Sequence, residues 1–160
     1  TGAITTRMSS GMPDLTGLSI SDVATASTLT LAADTISVVN YTGAAAAACT
    51  LPAATAGTIV VYAQAKDTTG GTATLSFDCA GSDVFATGSV IESRNSSEVT
   101  FDTSAAGETL LTFTPADAAT NLFTTGSMIA FVCYEDGTYH IASKMGGADD
   151  ATTGAFVFAS

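Results

Sequence analysis

Tryptophan is missing from this chain, histidine occurs once, and basic residues number four. Each scarcity removes a class of function. Sugar-binding surfaces depend on exposed aromatic rings, tryptophan above all, and here Tyr41, Tyr62, Tyr134 and Tyr139 fall mostly inside strand-like runs. A glycan-binding role is therefore weakened. The single histidine, His140, stands across a tight hairpin from Cys133, yet no nucleophile elbow or activating motif accompanies the two. No catalytic residue is assigned, and an enzyme is not expected. Arg7, Lys66, Arg94 and Lys144 face fifteen acidic residues, for a formal charge of −11. A surface of that sign repels phosphate backbones, so nucleic acid is not an expected partner.

Cysteine is scarce as well. Cys49, Cys79 and Cys133 sit in three separate strand-like segments, and an odd number without close spacing suits neither a disulfide framework nor a zinc site. They are expected as buried free thiols of a chain assembled in a reducing cytoplasm. No apolar run reaches the length of about eighteen residues that a membrane span requires, and no membrane association is expected. The opening TGAITTRMSSGMPD carries one positive charge and lacks the apolar centre of a secretory leader. Two acidic pairs, Glu135-Asp136 and Asp149-Asp150, have no calcium-loop spacing around them, and Gly70-Gly71 and Gly146-Gly147 lack the helix and lysine of a phosphate cradle. No metal and no cofactor is expected.

What the chain does have is apolar and β-branched residues. Hydrophobic residues make up 46% and charged ones 12%, so the chain has enough apolar surface to fold and a low density of charged side chains. Such a balance suits a protein packed against copies of itself or a partner. The stretch from Thr28 to Ala65 carries the clearest pattern: Thr28 to Leu31, Thr35 to Val39, a run from Ala44 ending in Leu51, and Thr58 to Ala65 all predict strands. Lys66 to Gly71 predicts a hairpin loop leading into Thr72 to Asp78, where Leu75 and Phe77 share a face. Further strands are predicted at Val84-Phe85, Val90-Ile91, Glu98 to Asp102, Thr109 to Thr114, Met128 to Tyr134, Thr138 to Ser143 and Ala155 to Ala159. Met128 to Tyr134 is continuously apolar, as for a central strand covered on both faces. Residues 115 to 121 predict at most a brief helical turn.

The expected fold is all-β: a single β-sandwich or barrel-like domain of short antiparallel strands over 28–160, preceded by an extended N-terminal arm over 1–27. In the arm neither helical nor strand periodicity persists. Its spaced apolar residues could lie across a neighbouring subunit.

Three segments, Leu31-Ala32-Ala33-Asp34, Thr50-Leu51-Pro52-Ala53-Ala54 and Ala56-Gly57-Thr58, resemble those of small β-rich structural proteins of tailed bacteriophages. The resemblance is to capsid decoration (cement) proteins and tail-fibre modules of marine and cyanobacterial phages. Met128 to Ala142 resembles the strand, acidic turn and aromatic strand that close such modules. The resemblance implies a virion protein on the outer capsid surface, bound to the major capsid protein and stabilising the shell. It implies a homo-oligomer, a trimer before a dimer. The residues expected to contact the shell are Ile4, Arg7, Met8, Met12 and Leu15 of the arm. The alternative is a tail-fibre or host-recognition β-module.

Overall fold

The computed structural model describes residues 19–23, 28–42, 45–65, 73–94, 99–114, 126–144 and 155–160. Among them the fold is all-β, with no helix. Thirteen strands follow in chain order: β1 (Ser19–Val23), β2 (Thr28–Thr30), β3 (Thr35–Val39), β4 (Ala47–Thr50), β5 (Ile59–Gln64), β6 (Leu75–Asp78) and β7 (Val84–Phe85), then β8 (Val90–Arg94), β9 (Val99–Thr103), β10 (Leu110–Thr114), β11 (Met128–Glu135), β12 (Thr138–Lys144) and β13 (Ala155–Ala159). A six-stranded sheet has the order β1-β3-β5-β11-β12-β7, a five-stranded sheet the order β13-β10-β6-β4-β2, and β8-β9 form a separate hairpin.

The first half of the chain winds. Strands β1, β3 and β5 enter the six-stranded sheet and β2, β4 and β6 the five-stranded one, so each passage crosses to the opposite sheet before returning beside its predecessor. Pairings made in this way are parallel, and β1-β3, β3-β5, β2-β4 and β4-β6 all are. The expected antiparallel arrangement holds for β5-β11, β11-β12, β6-β10, β10-β13 and β8-β9. The hairpin predicted through Lys66 to Gly71 is corrected by this winding: β5 and β6 lie in different sheets, and residues 66–72 are outside the described residues. Ser19 to Val23, within the segment expected to be an arm, form β1. Their strand is fixed by the parallel ladder to β3 rather than by a periodicity of their own.

Local chemistry sets the corners. Asp34 adopts the left-handed conformation, φ 53°, and closes the turn into β3. Its amide donates to the Ile59 carbonyl, and its carboxylate accepts from the Ile59 amide at 3.3 Å, so this one residue anchors the start of β3 to the start of β5. The Asp-Gly turn between β11 and β12 is where the sequence predicts it, with Gly137 at φ 83°.

The core lies between the two sheets. Phe77 of the five-stranded sheet meets Tyr62 and Phe131 of the six-stranded sheet with ring centroids 5.1 Å apart in each case. Phe85 on β7 meets Phe158 on β13 edge-on at 5.4 Å. That contact puts the β7 and β13 edges on one side of the sandwich, where the β8-β9 hairpin also lies against β12 and β13. On the other side, β1 and β2 each pair along one edge only among the described residues.

Candidate functional site

Candidate nucleophiles face inward. Cys133 points into the core and its Sγ lies 2.9 Å from the Glu135 carbonyl oxygen. Burial raises its thiol above the ordinary range, and likewise pushes Cys49 and Cys79 up to about 12. All three cysteines are free and buried. His140 lies on the other face of its strand, its ring 4.8 Å from that of Tyr134. The sheet itself therefore stands between Cys133 and His140, and no Cys/His pair is formed. Successive residues on a strand point to opposite faces, which dictates this outcome.

Carboxylates are spent on the backbone. Asp83 accepts the Ala54 amide at 2.7 Å and Asp136 the Ala56 amide at 2.8 Å, pinning the loop between β4 and β5 from two directions. Asp102 accepts the Phe158 amide at 2.7 Å and Glu108 the Ala105 amide at 2.6 Å. With Asp34, these groups use acidic side chains as acceptors for amides that no ladder reaches. Among the described residues no group of three His, Cys, Asp or Glu is placed to hold a metal ion. Asp149 and Asp150 lie outside the described residues.

A polar cluster is buried at the end of β5. The Tyr62 hydroxyl donates to Gln64 Oε1 at 2.6 Å, Gln64 Nε2 donates to the Tyr41 carbonyl at 2.6 Å, and the Tyr41 hydroxyl donates to the Ala73 carbonyl. Burial pushes the Tyr41 phenol up to about 12; burial, with Cys49 and Tyr41 nearby, raises Tyr62 further. These groups serve as neutral hydrogen-bonding struts between loops.

Interaction surfaces remain. The residues predicted to contact a shell, Ile4, Arg7, Met8, Met12 and Leu15, all lie outside the described residues. The chain enters the described part at Ser19, on the edge of the six-stranded sheet that has no further partner among the described residues. The outer faces of the two sheets differ. On the five-stranded sheet one register line runs Thr28, Ala48, Ser76, Thr112, Val157 and the next Thr30, Thr50, Asp78, Leu110, Ala159, a face rich in hydroxyls. On the six-stranded sheet the outward positions of β3, β5 and β11 are apolar, from Met128 to Tyr134 and across their register partners, while β12 presents Thr138 and His140. β11, predicted as a central strand covered on both faces, lies between β5 and β12; its outward Ala130 and Val132 are half-buried, while Met128 and Tyr134 towards its ends are exposed, Tyr134 to 70%.

No family model, no curated protein and no solved structure matches this chain.

Proposed function

We propose that the chain is a structural protein of a phage virion, a head decoration or cement protein that binds the major capsid protein on the outside of the shell as a small homo-oligomer. The observation that carries this reading is the pair of strands, β1 and β2, that end their sheets with no second partner among the described residues, on the side of the sandwich where residues 1–18 join the fold. Open edges beside a segment with spaced apolar residues offer backbone hydrogen bonds and side-chain anchors together, the requirements of strand addition to a neighbour. The LAAD, TLPAA and AGT segments point the same way. They form the crossings between sheets, and the last two lie in the loop that Asp83 and Asp136 pin. Mechanistically, contacts made only on the assembled shell stabilise it by mass action and raise the barrier to disassembly.

Removing residues 1–18 tests the reading. Binding to expanded shells is expected to be lost while the far-ultraviolet circular dichroism of the β-sandwich is kept; full binding by the truncated chain would take the arm out of the mechanism.

A second reading is favoured by one observation. Tyr134 is exposed, with its ring tilted against that of His140 beside the acidic turn, and an exposed aromatic of that kind suits a host-recognition module of a tail fibre. Binding to whole host cells without binding to shells would select it.

A further inference from the structure

The chain contains one Asp-Gly step, Asp136-Gly137, and no Asn-Gly step. An aspartate followed by glycine is able to cyclise, because no Cβ on the glycine hinders the approach of its backbone nitrogen to the side-chain carboxyl carbon. The nitrogen attacks Cγ, an N–Cγ bond forms, the Cγ–O bond breaks, and the carboxyl hydroxyl leaves with the amide proton as water. Water then reopens the five-membered imide. Cleavage at Cγ restores aspartate, whereas cleavage at the main-chain carbonyl leaves the backbone running through Cβ and Cγ, an isoaspartate.

Both reacting groups are held by the loop between β4 and β5. Asp136 Oδ1 accepts the Ala56 amide at 2.8 Å, and the Gly137 amide donates to the Ala54 carbonyl at 2.8 Å. A nitrogen whose proton is bonded elsewhere and a carboxylate turned to another amide are kept from meeting. Three further bonds tie the loop down: Asp83 accepts the Ala54 amide at 2.7 Å, the Tyr139 hydroxyl donates to the Pro52 carbonyl at 2.9 Å, and the Gly57 amide donates to the Cys133 carbonyl at 2.8 Å. Ala53, Thr55, Ala56 and Gly57 are nevertheless exposed, so the loop has little core to open when it lifts from the turn. Space at the turn is not limiting, since a Cβ placed on Gly137 would meet nothing closer than Asp83 Oδ1 at 3.9 Å.

We propose that Asp136-Gly137 is a site of spontaneous backbone isomerisation and that the β4-β5 loop is its gate. The gate acts in both directions. With the loop seated, the reacting groups are bonded to it; once the imide forms, the Gly137 proton and the Asp136 carboxylate are both gone, and the Ala54 carbonyl and the Ala56 amide lose their partners together. Isoaspartate, with a backbone one carbon longer, does not bring them back into register. The rate of modification therefore follows the fraction of time the loop is lifted, and modification keeps it lifted. This inference does not depend on the virion reading.

Ageing the full chain at one fixed pH, folded or unfolded in urea, tests it. Isoaspartate is counted by enzymatic methylation and placed at residue 136 by electron-transfer fragmentation. The folded chain is expected to modify at least about tenfold more slowly than the unfolded one. Asp83→Ala, which frees the Ala54 amide without touching the reacting residues, should speed the folded chain about fivefold or more. Tyr139→Phe, which releases the Pro52 carbonyl, should also speed it, and keeps the test open should Asp83→Ala fail to fold. Gln64→Ala, which weakens the core at the far end of β5, should leave the rate unchanged, because the gate opens locally. In the modified chain, hydrogen exchange over residues 53–57 should rise at least about tenfold. Four results would overturn the proposal: equal rates in folded and unfolded chains; a rate that neither Asp83→Ala nor Tyr139→Phe moves; an acceleration by Gln64→Ala as large as theirs, which would make global unfolding the gate; and loop exchange in the modified chain as slow as in the unmodified one.

Discussion

Gln64 shows how a residue that looks unremarkable in sequence becomes indispensable inside. It is buried on β5 and bridges the Tyr62 hydroxyl to the Tyr41 carbonyl, so Gln64→Ala removes two hydrogen bonds from buried groups. The expected cost is about 1–3 kcal/mol, measured by urea unfolding of wild type against variant. No loss would mean that the cluster is not a strut. The buried thiols and phenols give a second prediction, in pH. Cys49 and Cys79 move from an ordinary 9.0 to about 12 and Tyr41 from 10.0 to about 12, so the folded state holds protons that the unfolded chain releases. Their contribution is fully present below about pH 9 and is lost as pH rises towards 12. The melting temperature should therefore fall steeply above pH 9, and less so in Cys49→Ala relative to that variant's own value at pH 7; a flat profile to pH 11 would contradict the burial. That the cysteines are free and buried was legible in their number and spacing. The Gln64 bridge was not, because its partners come from the residues before β4, from β5 itself and from a distant loop.

At the scale of elements, the loop between β4 and β5 is held by side chains rather than by a ladder. Asp83 on one side and Asp136 on the other accept its amides. Asp83→Ala is expected to cost about 1–2 kcal/mol, and Asp83→Asn, which keeps an acceptor, clearly less. Equal losses in calorimetry would show that the negative charge and not the hydrogen bond matters. Most strands were legible from their own residues, and so was the β11-β12 hairpin, whose Asp-Gly turn and alternating Tyr139, His140 and Ile141 are local signals. The winding was not. A period-2 pattern is the same in parallel and antiparallel neighbours, and Gly70-Gly71 suits a hairpin as well as a crossing between sheets. The inward placing of Thr35, Ser37 and Val39 on β3 was equally hidden, since TISVV alternates in either orientation and only the register decides which set faces in.

Among the described residues the molecule is a two-sheet β-sandwich, wound in its first half, with its three cysteines buried and the carboxylates of Asp34, Asp83, Asp102, Glu108 and Asp136 committed to the backbone. Its two outer faces differ in character. The all-β class followed from strand-like runs at close spacing with turn residues between them. The surfaces did not follow, because a face is assembled from residues far apart in the chain and becomes visible only when neighbouring strands are known. The role proposed for it is that of a decoration protein on a phage shell. Mixing the purified chain with expanded shells that lack it, then sedimenting the shells and imaging the pellet by electron microscopy, tests the claim most directly. Saturable binding at quasi-equivalent positions on the outer surface is the predicted result. Shells that pellet bare across the titration, with the chain found on tails or fibres instead, would contradict it.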